Sequence, residues 1–178
     1  AVRDADAVIA RGRRISAKII EGLDRCVVIG LGSVGADSVD VGAATKKGIV
    51  VTNVPDVFIE EVADHTMAMF LAAHRLLKQM DKLVREGRWR EGRPTYLTLP
   101  RLWGQTLGLV SFGNVARAVA RRAKPFGLHV ISYDPYISEL KMTGEGVEPV
   151  TSLVELCERS DFLSMHAPFI TETHKLLT

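Results

Sequence analysis

Along the chain, short apolar runs alternate with segments of helical spacing. Val8-Ile9-Ala10 is a short apolar run, and residues 15–23 carry apolar positions at helical intervals. Residues 26–29 read as a buried strand, broken by Gly30-Leu31-Gly32-Ser33-Val34-Gly35. Residues 40–47 suit a short helix, and Ile49-Val50-Val51 a second strand. Such alternation predicts βαβ units around a parallel sheet, an α/β fold. Pro55-Asp56 then opens the longest periodic segment, residues 57–82, which predicts one helix. Proline suits its entry, and Asp56, Glu60 and Glu61 complement its positive end. Met67, Met69, Phe70, Leu71, Leu76 and Leu77 cover more than one stripe of that helix. It should therefore be buried on several sides, in one core or at a subunit interface, and the interface is preferred.

Residues 87–103 mix charges with Pro94, Pro100 and two tryptophans and show no clean period, so they read as a surface connection. The pattern then becomes strict. Residues 106–111 predict a strand, 115–125 a helix, 129–133 a strand, 153–159 a helix and 162–165 a strand. No internal repeat or low-complexity segment interrupts this order.

Composition narrows the function classes. With 178 residues, 47% hydrophobic and 25% charged, the chain reads as globular protein, and a net charge of +2 gives no case for nucleic acid or an anionic membrane as partner. The basic runs Arg11, Arg13, Arg14 and residues 85–93 are read as solvated surface. Cys26 and Cys157 lie in apolar surroundings without metal-ligand spacing; both are expected to be reduced core residues, which suits a cytoplasmic protein. No secretory leader and no bilayer-length apolar run is present. Both ends of the sequence read as mid-pattern, so an incomplete chain is expected.

The chemistry centres on Leu109-Val110-Ser111-Phe112-Gly113-Asn114-Val115-Ala116, directly after a predicted strand and opening a predicted helix. A dinucleotide fingerprint stands in that context, because a pyrophosphate must approach backbone N–H groups at the positive end of the helix. Gly113 supplies a position without Cβ, and Ala116 the small residue that lets helix pack on strand. Ser111 replaces the first glycine, at some cost in turn freedom, with a hydroxyl available for a local hydrogen bond. The following strand ends at Asp134, about twenty residues on, where a carboxylate can accept both ribose hydroxyls and repel a 2′-phosphate. That favours NAD over NADP; the other reading makes Asp134 a turn former before Pro135. His166-Ala167-Pro168 follows another strand, at the edge where open α/β sheets bind ligands. No partner makes His166 a base, so a cofactor-pocket or structural role is preferred. His65 and His74 read as interface or packing residues, and His129 and His174 have no local case.

The order of motifs resembles the D-isomer-specific 2-hydroxyacid dehydrogenases of the phosphoglycerate dehydrogenase type. The likeness is carried by Val34-Gly35-Ala36-Asp37-Ser38-Val39-Asp40, Gly48-Ile49-Val50-Val51-Thr52-Asn53-Val54-Pro55 and Glu61-Val62-Ala63-Asp64-His65. It continues through residues 107–135 and Ser160-Asp161-Phe162-Leu163-Ser164-Met165-His166-Ala167-Pro168 to Glu172-Thr173. The resemblance implies two domains: residues 1–54 as part of a flavodoxin-like substrate domain, and residues 55–178 as the first part of a Rossmann-like doubly wound NAD domain. It implies that Ser33, Val34 and Gly35 meet the substrate carboxylate, that Asn114 and Val115 lie against the pyrophosphate, and that Phe112 and Gly113 are also cofactor-binding. Asp134 would hold the ribose, His166, Ala167, Pro168 and Thr173 would line the cofactor pocket, and the helix over 57–82 would form a homodimer interface. Ser111, and Leu31 where many relatives have arginine, depart from the pattern. The family's catalytic arginine, glutamate and histidine fall beyond Thr178, so no residue here is assigned as catalytic and no metal is implied. The implied activity is NAD-dependent hydride transfer at C2 of a 2-hydroxy or 2-oxo acid. The alternative is an NAD(H)-sensing binding protein resembling the C-terminal-binding corepressors.

Overall fold

The computed structural model describes residues 2–177, the Thr171 side chain apart. Two compact units form: one takes the chain up to Val57 and again from Pro168 onward, the other is Phe58–Ala167. The sequence had placed the division at 54/55 and run the second domain to the end.

The first unit is built on β1 (Ala7–Ala10), α1 (Ala17–Glu21), β2 (Val28–Leu31), α2 (Val41–Lys46) and β3 (Val50–Thr52). Its sheet is parallel, in the order β1-β2-β3. Ile20, Leu23, Ile29, Ala44 and Ile49 make its core. The predicted strand over 26–29 begins later and does not break at Gly30. Gly30 pairs with Ile9 on one side and Thr52 on the other, so the ladder on both flanks carries the strand through the glycine to Leu31. Asp40 caps α2 by accepting from the Ala43 N–H at 2.9 Å.

The second unit opens with α3 (Ile59–His74), α4 (Leu77–Arg85) and α5 (Trp89–Thr98). β4 (Thr106–Val110), α6 (Asn114–Ala123) and a 3₁₀ turn at Lys124–Phe126 follow. Next come β5 (His129–Tyr133), α7 (Glu139–Gly144), β6 (Glu148–Pro149), α8 (Leu153–Arg159) and β7 (Phe162–Met165). All pairs are parallel and the order is β6-β5-β4-β7. Taken in chain order this is 3-2-1-4, the half-sheet of a doubly wound Rossmann-like fold. Leu107, Leu109 and Val110 are buried, as befits a central parallel strand covered on both faces. A Cβ on Gly108 would stand 2.1 Å from Ser160 Oγ, so glycine there admits α8's C-terminal end against the sheet. On α6 the buried residues are Ala116, Ala118, Val119, Ala120 and Ala123, small enough to bring the helix close to both sheet and α3. Phe112, 1% exposed, anchors the start of that helix in the same core; truncating it to alanine should cost ~3–5 kcal/mol.

Three readings of this region need correction. The single helix over 57–82 is two: it breaks at Arg75-Leu76, where Leu76 sits at φ 52. No glycine or proline in the sequence marks the break. Gly92 of α5 lies so close to α4 that a Cβ would come 2.7 Å from Leu83 Cδ1, and the Arg75 guanidinium stacks 4.7 Å from the Tyr96 ring centre. Residues 89–98 are accordingly helical, with Pro94 inside, where a connection was predicted. On α3 only Ala63 and Met67 are buried, while Val62 and Met69 are exposed, so burial on several sides is not met within the chain. Cys26 is buried but Cys157 is exposed, since Leu156 takes the inward position of α8 and its neighbour turns about 100° away. Both thiols are free.

Candidate functional site

The site is built where β4 hands over to α6. In the 3-2-1-4 order, the chain runs outward from β4 through β5 to β6 and then crosses back to β7 on the other flank of β4, so the switch point lies at the carboxyl ends of β4 and β7. Ser111 follows β4 at φ 76, the left-handed backbone that favours glycine, and this is why serine there departs from the fingerprint. Its N–H donates to the Tyr133 carbonyl at 2.8 Å, and the buried Ser132 hydroxyl donates to the Leu109 carbonyl at 2.9 Å. Gly113 is the N-cap of α6, with extended backbone and no side-chain cap. A Cβ there would meet nothing within 4 Å. The glycine therefore keeps open ground in front of the positive end of the helix, the arrangement that receives an anion. Arg117 donates to Asn114 Oδ1 and pairs with Glu145 at 3.3 Å, setting a cation one turn inside the helix.

Asp134, just beyond β5, turns into this loop. Its Oδ2 accepts from the Phe112 N–H at 2.8 Å and from the Ser111 hydroxyl at 3.0 Å, and its Oδ1 accepts from the Tyr136 N–H at 2.8 Å. The last bond is the turn-forming role read from Pro135; the first two aim the carboxylate at the fingerprint turn. A carboxylate has about four lone-pair positions, and three are already occupied here.

His166 lies across the switch point. Its N–H donates to the Val110 carbonyl at 3.0 Å, extending the β4–β7 ladder by one residue. Its Nε2 is 2.9 Å from Ser164 Oγ, a partner that sequence reading missed although residues two apart on a strand share a face. Burial pushes the imidazole pKa down and favours the neutral ring. Alongside β7, an apolar groove of about 660 Å³ is lined by Met67, Phe70, Phe162, Leu163, Met165 and His166. His74 packs against Phe162 with ring centres 5.4 Å apart, as its packing role predicted.

Phe112, Gly113, Asn114, Val115, Asp134, His166 and Ala167 thus fall in one compact unit. Pro168 and Thr173 belong to the other, where Thr173 Oγ1 donates to the Pro168 carbonyl and accepts from the Ile170 N–H at 3.0 Å. In that unit the Ser33-Val34-Gly35 loop follows the central strand. Asn53 Nδ2 donates to the Val34 carbonyl at 2.7 Å and the Val54 N–H to the Ser33 carbonyl at 3.2 Å, which fixes its peptide planes. Among the described residues no cluster of His, Cys, Asp and Glu could hold a metal, and no helix is long and apolar enough to cross a membrane.

Residues 67–178 match the family described as D-isomer specific 2-hydroxyacid dehydrogenase, NAD binding domain. The chain is 38% identical over 177 residues to a D-3-phosphoglycerate dehydrogenase of Methanocaldococcus jannaschii, covering 99% of this chain and 33% of that protein. It is 39% identical over 178 residues to a glyoxylate reductase of Korarchaeum cryptofilum, covering 99% and 53%. The crystal structure of D-lactate dehydrogenase from Aquifex aeolicus, complexed with NAD and lactic acid, superposes with a TM-score of 0.90 at 29% identity. That alignment covers 98% of this chain and 52% of the other. The chain therefore spans between a third and about half the length of these relatives.

Proposed function

The chain belongs to the D-isomer specific 2-hydroxyacid dehydrogenase family, and on that premise we propose that its Phe58–Ala167 unit binds NAD across the β4–α6 turn. The observation that carries this reading is the ten-residue helix α6, opening at the switch point behind a glycine N-cap whose missing Cβ faces open space. Phe112, Gly113, Asn114 and Val115 would cradle the pyrophosphate, and Asp134 would take the adenosine ribose. The Asp134 carboxylate would repel a 2′-phosphate, which favours NAD over NADP. His166, Ala167, Pro168 and Thr173 are assigned to the cofactor pocket. Ser33, Val34 and Gly35 are assigned to the substrate carboxylate, with residues 1–54 as part of the substrate domain and 55–178 as part of the NAD domain.

The whole protein is then an NAD-dependent oxidoreductase of the phosphoglycerate dehydrogenase type, working at C2 of a 2-hydroxy or 2-oxo acid. When bound, the dinucleotide supplies or accepts the hydride; this chain orients it and keeps the ribose end in register. A homodimer through α3 and α4 is part of the same reading, supported by the exposed Val62, Met69 and Leu77.

Two measurements test it. NADH titration should show Asp134→Ala binding about tenfold more weakly, ~1.4 kcal/mol; an unchanged affinity would sink the ribose assignment. The whole protein should oxidise NADH with at least one of glyoxylate, hydroxypyruvate and phosphohydroxypyruvate. Clear NADH binding without turnover on any of the three would remove the enzyme and leave the sensor.

A further inference from the structure

We propose that Ser111 is a ribose-contacting residue, its hydroxyl supplying the acceptor that Asp134 lacks for the second hydroxyl of the adenosine ribose. The inference rests on the NAD reading above and deepens it.

The argument is a count of lone pairs. Of the four positions on the Asp134 carboxylate, the Ser111 hydroxyl, the Phe112 N–H and the Tyr136 N–H occupy three. Two of these donors are backbone groups of the loops themselves and stay in place as long as the loops do. One position remains, on Oδ1, whereas a ribose diol brings two O–H donors. An ionised carboxylate only accepts, so the proton between Ser111 Oγ and Asp134 Oδ2, 3.0 Å apart, is donated by the serine. The lone pairs of Ser111 Oγ then point away from that bond. A diol placed at Asp134 can give one hydroxyl to Oδ1 and the other to Ser111 Oγ without displacing any existing donor.

The backbone supports the same assignment. Ser111 stands at φ 76, where glycine would sit without strain. Its N–H is fixed on the Tyr133 carbonyl at 2.8 Å, so the strained conformation aims one side chain at one carboxylate oxygen. Glycine would satisfy the turn but supply neither the donor to Asp134 nor the acceptor to the sugar. A 2′-phosphate would meet the carboxylate and an oxygen already committed as a donor to it, so Ser111 also belongs to the set that selects NAD.

Three variants and two cofactor analogues decide it. Ser111→Ala and Ser111→Gly both remove the hydroxyl, but only glycine relieves the backbone. Both should bind NAD about fivefold more weakly than wild type, the net worth of one hydrogen bond, while Ser111→Gly melts higher than Ser111→Ala. NAD lacking the 2′- or the 3′-hydroxyl of its adenosine ribose identifies the contact. With one of the two analogues, wild type and Ser111→Ala should bind equally, because the hydroxyl that Ser111 would receive is gone. If the Ser111 variants bind NAD as wild type does while Asp134→Ala is weakened, the ribose reading stands and the Ser111 contact is overturned. If Ser111→Ala is weakened equally toward NAD and both analogues, the serine only positions Asp134 and the contact is again overturned. If wild type fails to bind NAD, or Asp134→Ala binds it unchanged, the cofactor reading itself falls and Ser111 with it.

Discussion

The two units each place a glycine-containing turn after the central strand of a parallel sheet, yet they treat the helix that follows in opposite ways. After β2, the chain passes through Ser33-Val34-Gly35 and reaches α2, a six-residue helix whose first turn is closed by Asp40. After β4, it reaches α6 within four residues, and that ten-residue helix has only Gly113 at its N-cap. Asp40 satisfies an orphan N–H and adds a negative charge to the positive end of its helix, so the terminus is electrostatically complete. Gly113 does neither, although an extended φ of −70 would accept aspartate and nothing would obstruct the side chain. A cap side chain omitted where one fits leaves the positive end of the helix open to something outside the protein.

Exchanging the two designs should break the contrast. Gly113→Asp places a carboxylate over the N-terminus of α6, where the pyrophosphate would lie. NAD affinity should fall at least about a hundredfold, ~2.7 kcal/mol, while thermal stability holds or rises by a few tenths of a kcal/mol. A variant that keeps its affinity would show that the α6 terminus is not the phosphate site. The converse change, Asp40→Ala, should cost about 1 kcal/mol of stability in denaturant unfolding and leave NADH titration unaltered. A loss of cofactor affinity there would contradict the division of roles between the turns.

The smallest effect concerns pH. Burial holds the folded His166 pKa below its unfolded value, so the unfolded chain binds the extra proton first as pH falls. The contribution is therefore complete above the ordinary histidine range, around pH 6.5, and is lost as pH drops from there through the folded pKa. His166→Gln should flatten this part of the stability profile between pH 8 and 5. A wild-type midpoint that stays level over that interval, with the variant's profile superimposable on it, would remove His166 as the source.

Legibility followed how local the cause was. The elements around β4, α6, β5, α8 and β7 are readable because each carries its own period and its own punctuation; α8 and β7 coincide with the residues predicted for them. The α3–α4 break at Leu76 is unreadable, since no glycine or proline marks it and a leucine takes the left-handed backbone there. Helix α5 hides as well, with Pro94 and mixed charge suppressing any periodic signal. The short α7 and β6 carry too few residues to show a period. In the site, the positions of Gly113, Ala116 and Asp134 follow from spacing alone, but the donors on Asp134 do not. Ser111 and Asp134 are 23 residues apart, and only the parallel register of β4 with β5 brings their ends together.

The sequence by itself determined the chemistry on offer: a strand that stops at a small-residue turn, a helix that starts without a cap side chain, and a carboxylate at the end of the next strand. Those are consequences of residue type and spacing, which act within a few residues. The tertiary structure decided how that chemistry is allocated. Strand order put the turn at a switch point, and the left-handed backbone at Ser111 turned its hydroxyl onto Asp134. Hydrogen-bond capacity is finite, and which lone pairs are left for a ligand depends on which protein donors arrive first. That count cannot be made until the chain has folded.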